Sequence, residues 1–371
     1  MRSWNSITLG EVLPFKYGKN LPASKRTHSG EYDVVSSAGI IDSHDTAFTT
    51  EPCIVIGRKG SIGSLTYCPD PVWPTDTTFY VTGTPYCDLR FGYYVLQTLP
   101  LNQMNNDSAV PGLNRNDAES LAFSLPPVSE QKTIAKVLSS FDDKIAANQR
   151  TIQSADSLRN ALWDKLLKTN TESLPLSSLA EFINGRAFTK NATGTGRVVA
   201  RIAELNSGIG SNTVFNDIEV HQNHVVLPGE LLFAWSGTLM TKRWPYDEAI
   251  VNQHIFKVLP ISKFDLWALE LIIQSQIHYF QMIAAGKATT MGHIKRADLD
   301  KTVEVPTSIP DKLNMLGNTL WMLATQAEQE NQTLARTRDE LLPLLMSGKI
   351  TVRDAEEASA EVGVDKHEVK E

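Results

Sequence analysis

Hydrophobic positions recur with helical spacing over a forty-residue stretch in the middle of the chain. Between Ser129 and Lys168 there is no proline or glycine, and the stripe positions alternate intervals of three and four residues. They are Ile134, Leu138, Phe141, Ile145, Asn148, Ile152, Ala155, Arg159, Leu162 and Leu166. This spacing is typical of a coiled-coil heptad. It predicts a helix about 60 Å long whose apolar stripe requires a partner helix of similar length.

The same spacing returns near the end of the chain, from Asp311 to about Ser347. Its positions are Leu313, Leu316, Leu320, Leu323, Ala327, Glu330, Leu334, Thr337, Leu341 and Leu344. We therefore predict that the two helices pair as a coiled coil within one chain. Four polar positions in the stripes are expected to fix the register at some cost in stability: Asn148, Arg159, Glu330 and Thr337.

The segments that precede the two helices resemble each other. Each helix follows a strand-like segment ending in proline, FSLPP at 123–127 and VEVPT at 303–307. Before these lie loops with basic residues ahead of an acid, PGLNRND at 111–117 and MGHIKRAD at 291–298. This order predicts a tandem repeat of a globular domain followed by a long helix. Two unrelated domains that each end in an amphipathic helix remain the alternative.

The predicted boundaries follow from this repeat. Short β-branched and aromatic runs separated by Gly, Ser and Asp predict strand-rich domains, each with a helix near its end, and hence an α+β fold. We predict globular domains at 1–128 and 171–310, and long helices at 129–170 and 311–350. The acidic tail, 351–371, is expected to be disordered because its composition is polar and charged.

Composition places limits on function. The chain has 371 residues and a formal net charge of −7, which argues against nucleic-acid binding unless basic residues cluster locally. The tail contributes −4 of this charge and leaves −3 for the rest. The sequence has neither a membrane-length apolar run nor a secretory signal, so we expect a cytoplasmic protein. Three widely spaced cysteines, Cys53, Cys68 and Cys87, indicate buried apolar side chains rather than a disulfide framework.

Motifs for catalysis are absent from the sequence. It contains no phosphate-binding GxxxxGK[ST] loop, and we find no grouping of nucleophile, base and orienting acid. His221 and His224 lack a third ligand and are interpreted as loop residues. His254, within an apolar run, is interpreted as a core residue. We therefore predict that the chain catalyses no reaction by itself and holds no metal.

Several loops combine glycine with basic, amide and hydroxyl side chains. In the first domain these are the segments 16–19 and 57–63, and in the second 185–190, 235–243 and 286–296. Such donors and acceptors contact DNA phosphates and base edges. Solvated surface turns have the same composition, so chemistry alone leaves both interpretations open.

The helix segments carry a family resemblance. They read LPPVSEQKTIAKVLSSFDDKI at 125–145, NQRTIQSADSLRNALWDKLL at 148–167 and RTRDELLPLLMSGKITV at 336–352. With IVIGRKGSIGSL at 54–65, LLFAWSGTLMTKRW at 231–244 and IVNQHIFKV at 250–258, they make the chain similar to the specificity subunit of a Type I restriction-modification system. The second helix departs from the pattern, since SIPDK at 308–312 replaces the expected Glu-Gln-Lys start.

The resemblance implies a fold and a function. The fold would be two α/β target-recognition domains in tandem, separated by two long helices that form an antiparallel coiled coil. Each domain would recognise half of a bipartite DNA target, and the coiled coil would set the spacer. Two modification subunits and endonuclease-translocase subunits would be partners, docked on the outer helix faces. S-adenosylmethionine, ATP and Mg would bind those partners, and this chain would hold no cofactor.

By family position, DNA-binding residues are expected in the loops of both domains. Arg115 and Arg296 stand at matching repeat positions, which favours a shared phosphate or structural role. The full set is Lys16, Tyr17, Lys19, Arg58, Lys59, Ser61, Asn114, Arg115, Arg186, Lys190, Trp235, Ser236, Thr238, Lys242, Arg243, Thr289, Lys295 and Arg296. Two other hypotheses remain: a coiled-coil scaffold that binds no DNA, and an enzyme whose site the sequence does not reveal.

Overall fold

The structure, a computed structural model, describes residues 4–104, 112–286 and 292–364. The chain divides into two compact units. Unit 1 comprises Met1–Lys144 with Leu334–Glu371, and unit 2 comprises Ile145–Thr333. Both long helices cross this division, so each unit contains a globular part and a section of each helix.

The two halves share a general order of strands, a helix, a ribbon strand and a long helix, and they differ in their short helices and in one extra strand of the second half. The first half forms β1 (Asn5–Thr8), α1 (Leu9–Val12), β2 (Lys16–Tyr17), β3 (Tyr32–Ser36), β4 (Gly39–His44), β5 (Cys53–Gly57), β6 (Leu65–Cys68), β7 (Trp73–Pro74), β8 (Thr78–Thr82), α2 (Leu89–Thr98), α3 (Arg115–Glu119), β9 (Ala122–Leu125) and α4 (Val128–Leu167). The second half forms β10 (Thr171–Pro175), β11 (Ala180–Asn184), β12 (Arg197–Ala200), α5 (Ile202–Ser207), β13 (Phe215–Asn216), β14 (Val225–Val226), β15 (Leu231–Ala234), β16 (Met240–Arg243), β17 (Ala249–Val251), β18 (Ile255–Pro260), α6 (Leu266–Gly286), β19 (Thr302–Pro306), α7 (Asp311–Met346) and α8 (Val352–Glu361).

The sheets confirm the tandem repeat. The main sheets have the strand orders β2-β8-β5-β6 and β11-β18-β15-β16. The smaller sheets each contain one parallel pair, β3 with β7 and β12 with β17. A two-stranded ribbon precedes each long helix, β1 with β9 and β10 with β19. Every strand pairing of the first half has its counterpart in the second, where β14 adds one further pairing with β17. The alternative of two unrelated domains is therefore wrong.

The long helices pair in opposite directions, as predicted. In unit 2, Ile152 and Ala155 pack against Leu320, Ala324 and Ala327. Asn148 Nδ2 donates to Glu330 Oε2 at 2.6 Å, while the Arg159 guanidinium lies over the Trp321 ring. The partner number falls as the α4 number rises, which defines an antiparallel pair. The stripe on α4 is buried at every predicted position except the half-buried Ile145.

The predicted stripe on α7 is wrong at two positions of its first half, although Leu320 and Ala327 are buried as predicted. Leu316 and Leu323 are 39% and 42% exposed, whereas Gly317, Trp321 and Ala324 are buried. The reason is the close approach of α6: a Cβ on Gly317 would lie 2.3 Å from the Trp267 ring. Only the face of α7 that bears small residues fits against α6. An exposed set of side chains results, which we call the α7 apolar stripe: Met315, Leu316, Met322 and Leu323.

The acidic tail is partly ordered, so the prediction of disorder is wrong for Val352–Glu361. A capping box between Thr351 and Asp354 begins α8. Ala355 and Ser359, one turn apart, are buried. The TVRD segment carries this helix-start pattern, and the small residues at four-residue spacing account for the buried face. Residues 365–371 lie outside the described part of the chain.

The cysteines are free and buried, as predicted. Their wide spacing in sequence is nevertheless misleading, because Cys53 and Cys68 face each other across β5 and β6. Within residues 4–104, 112–286 and 292–364, no helix is long and apolar enough to cross a membrane. Over the same ranges, no cluster of three His, Cys, Asp or Glu side chains could hold a metal ion.

Candidate nucleic-acid interface

The first-domain site forms where β2 leaves the main sheet. Gly18 follows the strand, and a Cβ at this position would lie 2.1 Å from the Thr75 carbonyl oxygen. Only glycine lets the two backbones approach this closely. The Gly18 N–H donates to Thr78 O and the Lys19 N–H to Pro74 O. The end of β2 is thereby fixed against the segment that joins the two sheets.

Arg58 and Tyr17 meet at this point. The Arg58 guanidinium carbon lies 5.3 Å from the Tyr17 ring centroid and 5.8 Å from that of Phe79. Tyr17 is 52% exposed and meets the buried Phe79 edge to face. The Arg58 N–H donates to Thr77 O. The two rings thus form an aromatic shelf beneath a partly exposed cation.

Of the other predicted cations, Arg115 contacts Tyr17, with its guanidinium carbon 6.0 Å from the ring centroid. The Lys16 ammonium donates to the Thr82 hydroxyl at 3.1 Å. The Lys19 ammonium lies over the rings of Phe48 and Trp73. Two arginines therefore contact the exposed tyrosine, and the two lysines, which are near it in sequence, lie against other rings or a hydroxyl.

Two predicted residues of the first domain have a local structural role. Arg115 Nε donates to Glu119 Oε1 at 3.0 Å, and this carboxylate also accepts the Phe15 N–H. Asn114 caps α3, since its Oδ1 accepts hydrogen bonds from the N–H groups of Asn116 and Asp117, the second and third residues of the helix. Lys59 and Ser61 are exposed in the loop after β5.

The second-domain site is built on the same backbone hydrogen bonds. The Gly185 N–H donates to Ile255 O and the Arg186 N–H to Val251 O, which matches Gly18 and Lys19. A Cβ on Gly185 would lie 2.1 Å from the Asn252 carbonyl oxygen, the same distance that Gly18 shows. Asn184 therefore occupies the repeat position of Tyr17.

The loop after the central strand also matches. The Trp235 N–H donates to His254 O, as Arg58 donates to Thr77 O. The carbonyl oxygens of Arg58 and Trp235 accept the N–H groups of Leu113 and Ile294, respectively. Trp235 thus stands at the repeat position of Arg58. Arg115 and Arg296 lie two residues after Leu113 and Ile294, so they also occupy equivalent positions, in agreement with the sequence prediction.

Trp235 and Asn184 form a different pair from Arg58 and Tyr17. Trp235 Nε1 donates to Asn184 Oδ1 at 2.9 Å, and the indole packs on Phe256 and His254. Indole is only a donor, so this bond fixes the orientation of the amide. Asn184 is exposed, and no partner for its Nδ2 is present among the described residues. The pair therefore presents amide N–H donors in place of a guanidinium.

The remaining second-domain predictions fall into two groups. Arg186, Lys190, Thr238, Lys295 and Arg296 are exposed, and Lys242 is half-buried. Arg186 borders a cleft of about 560 Å³ that Phe188, His221 and His224 also line. Burial, with the nearby charges of Arg186 and His221, lowers the pKa of His224. The cleft is consequently less basic at neutral pH than its residue types suggest.

Two predicted DNA contacts are contradicted. Arg243 and Ser236 are each 4% exposed. Arg243 makes two hydrogen bonds to the Glu328 carboxylate, at 2.9 and 3.1 Å, and its guanidinium carbon lies over Trp321. Glu328 raises the pKa of Arg243 although burial alone would lower it. Ser236 forms an isolated antiparallel β-bridge with His293. Thr289 lies outside the described residues.

Sequence reasoning missed Asn184 and misinterpreted His254. Asn184 precedes the Gly185-Arg186 segment, so a repeat alignment on the two glycines would have identified it. His254 is not a satisfied core residue: it has a positive φ of 73°, and its buried Nδ1 has no hydrogen-bond partner in the described part of the chain. Its position in the turn before β18 is the counterpart of Thr77.

A family model matches the part of the chain that contains the first-domain site. Residues 1–156 match the Type I restriction modification DNA specificity domain. The chain is also similar in sequence to curated proteins. A Type I specificity subunit from Escherichia coli, that of the EcoprrI enzyme, is 26% identical over 145 residues. A putative Type I specificity subunit from Mycoplasma pneumoniae is 25% identical over 188 residues.

These Type I relatives match only in part. The aligned segments cover 36% and 48% of this chain and 35% and 49% of the two relatives. The crystal structure of a Type I S subunit from M. genitalium superimposes with a TM-score of 0.62. That superposition covers 93% of this chain and 96% of the other, at 16% sequence identity. The fold of that S subunit therefore extends over both halves of the chain.

Proposed function

We propose that this chain is the DNA-recognition subunit of a Type I restriction-modification complex. Each globular domain would recognise one half of a bipartite target in double-stranded DNA, and the paired helices would set the unread spacer. Methyl transfer from S-adenosylmethionine and ATP- and Mg-dependent cleavage would belong to two modification subunits and to endonuclease-translocase subunits. The chain itself would supply recognition without catalysis, in the cytoplasm.

One observation supports this proposal most strongly. The two domains share a backbone frame, but at equivalent positions it presents Tyr17 and Arg58 in one and Asn184 and Trp235 in the other. Base recognition depends on side-chain donors and acceptors held at fixed places. A repeated frame with different side chains suits two different half-sites.

Local charge supports DNA binding despite the net charge of −7. Arg58 and Arg115 contact Tyr17, Lys16 and Lys19 lie on either side of it in sequence, and Arg186, Lys295 and Arg296 are exposed in the second domain. Electrostatic attraction to phosphates depends on such clusters rather than on the total charge, because salt screens charges beyond about 10 Å.

The α7 apolar stripe supports a protein partner on the long helices. Four large apolar side chains are exposed in two adjacent pairs one heptad apart, on a helix whose opposite face is already packed. Exposed apolar surface of this kind marks interaction sites. We propose that a modification subunit contacts it, in keeping with the family.

Selection of DNA from a random duplex library would test the proposal. The full chain is purified in complex with its modification subunit, and bound duplexes are sequenced at several salt concentrations. Two short conserved blocks at a fixed separation are expected. The modification subunit alone is the control and should select neither block. A single continuous block would contradict bipartite recognition.

A coiled-coil scaffold is the second candidate. The acidic balance and the α7 apolar stripe favour it, since both suit protein association without DNA. A scaffold would form the complex but bind duplex weakly and without sequence preference. The same selection therefore separates the two functions. Methyl transfer or cleavage by the lone chain would instead show that it is an enzyme.

A further inference from the structure

Arg58 differs from Lys16 and Arg115 in that its guanidinium has no acceptor among the described residues. Lys16 is bonded to Thr82, and Arg115 to Glu119. Among residues 4–104, 112–286 and 292–364, the Arg58 side chain has no hydrogen-bond acceptor or carboxylate partner; its neighbours are the two rings of the shelf. Its five N–H donors are therefore available to a ligand.

The backbone of Arg58 is fixed on both sides. Its N–H donates to Thr77 O at 2.9 Å, and its carbonyl oxygen accepts the Leu113 N–H at 2.8 Å. At the preceding residue, Gly57, a Cβ would lie 2.0 Å from the Ser61 carbonyl oxygen, so the following loop is tightly closed. The backbone from which the side chain extends is thus fixed, and the contacts with the Tyr17 and Phe79 rings restrict the guanidinium before any ligand binds. Such restriction lowers the entropy lost on binding.

We propose that Arg58 recognises a guanine in the half-site bound by the first domain, with Tyr17 and Phe79 holding the guanidinium plane. The proposal rests on the proposed function and adds the identity of one base. A planar guanidinium matches the O6 and N7 acceptors of guanine in the major groove. A phosphate contact needs charge but no fixed plane, and the exposed Lys59 in the same loop meets that need.

The second domain provides an internal contrast. Trp235 occupies the position of Arg58, and its only polar hydrogen is engaged by Asn184. It cannot form the paired donor contact that a guanidinium makes. Guanine recognition from this repeat position is therefore a property of the first domain alone.

Sequence selection by variants of the whole complex tests this inference. The complex of the full chain with its modification subunit is compared with complexes carrying Arg58→Lys, Arg58→Ala or Lys59→Ala. In both Arg58 variants, the preference for guanine over other bases at one position of one half-site should fall roughly 5- to 150-fold, the range for one bidentate contact. Lys59→Ala should weaken binding to all sequences equally and lower the salt dependence by about one ion.

Tyr17→Leu is a second variant that distinguishes a weakened contact from a general loss of folding. It removes the outer ring of the shelf but leaves the guanidinium, so the same guanine should remain preferred with a smaller ratio. Thermal unfolding of each variant shows whether the domain is intact.

Three outcomes would overturn the inference. Arg58→Lys could weaken every sequence equally, which would identify a phosphate contact. The wild-type half-site could lack guanine, or the altered position could lie in the half-site of the second domain. A wild-type complex that selects no sequence would instead contradict the proposed function itself.

Discussion

The two candidate sites share a backbone and differ in chemistry. In the first domain an unpaired cation rests on aromatic rings, whereas in the second an indole orients an exposed amide. The hydrogen bonds that hold Gly18 and Gly185, and Arg58 and Trp235, are the same. The difference shows that the frame fixes where side chains are presented, and that residue identity at those places decides what they can bind.

The two domains also differ in the polar contacts that attach each of them to the long helices. In unit 2, Arg159 donates to Glu270 and Asp156, both at 2.8 Å, and Trp321 lies between Arg159 and Arg243. In unit 1, Asp142 accepts from Tyr94 and Arg338, and both partners in the ion pair are about one-fifth exposed. The attachment in unit 2 is buried, whereas the attachment in unit 1 is accessible to water.

Glu270→Ala should have the largest effect, because it removes the buried partner of Arg159 and leaves only the more exposed Asp156. Burial raises the pKa of Glu270 even though Arg159 opposes this. Removing one member of a buried pair costs about 3–5 kcal/mol of unfolding free energy. Asp142→Ala, in the more exposed attachment, should cost clearly less. Urea unfolding of both variants measures this contrast, and equal losses would show that the attachments do not differ. Glu270→Gln is the matched control that keeps an acceptor.

Gly18→Ala and Gly185→Ala test whether the frames are equivalent. Each new Cβ would lie 2.1 Å from a backbone carbonyl oxygen. We expect losses of about 1–3 kcal/mol, similar in the two variants. Gly210→Ala is the control, since no atom lies within 4 Å of its Cβ position. A large effect at only one of the two sites would break the equivalence.

Gly317→Ala tests the packing that displaced the α7 stripe. Alanine gains about 1 kcal/mol in helix propensity over glycine. Its Cβ would, however, lie 2.3 Å from the Trp267 ring, which Asn314 holds by accepting the Nε1 hydrogen bond. The clash should prevail, with a net loss of about 1–2 kcal/mol. A more stable variant would mean that α6 does not pack this closely.

Trp235→Phe should alter recognition with little change in stability. It removes the donor that orients Asn184, at a cost of about 0.5–1.5 kcal/mol. Base preference should relax in one half-site only. Tyr17→Phe is the matched change in the first domain and should leave preference nearly unchanged, because the ring and the Arg58 contact remain. Sequence selection with the two complexes measures both, and relaxation of both half-sites by Trp235→Phe would be inconsistent with separate sites.

Leu323→Glu should have the smallest effect on stability. Leu323 is 42% exposed, so its replacement should change the unfolding free energy by less than about 0.5 kcal/mol. Association with the modification subunit should weaken, since a charge then enters an apolar contact. Titration calorimetry measures this, with the exposed Gln326→Glu as the control. Unchanged association would exclude the α7 apolar stripe as the contact.

The sequence predicts local periodicity better than contacts between distant residues. The α4 stripe follows from its spacing, and the repeat from the segments before the two helices. The misplaced stripe on α7 depends on Trp267, which is distant in sequence and selects the face bearing Gly317. Arg243 is a basic residue at the end of β16, where the sequence alone favours a DNA contact. Glu328 and Trp321, both on α7, pack against it and bury it. The Asn184 site likewise depends on strand register, which composition does not reveal.

Independent recognition by the two domains is the central claim, and exchange of residues 1–128 tests it most directly. These residues would be replaced by the corresponding domain of another Type I specificity subunit, and the methylated sites of the resulting complex mapped by sequencing. The account predicts that one half-site changes while the other half-site and the spacer length stay as they were. Changes in both half-sites would contradict it.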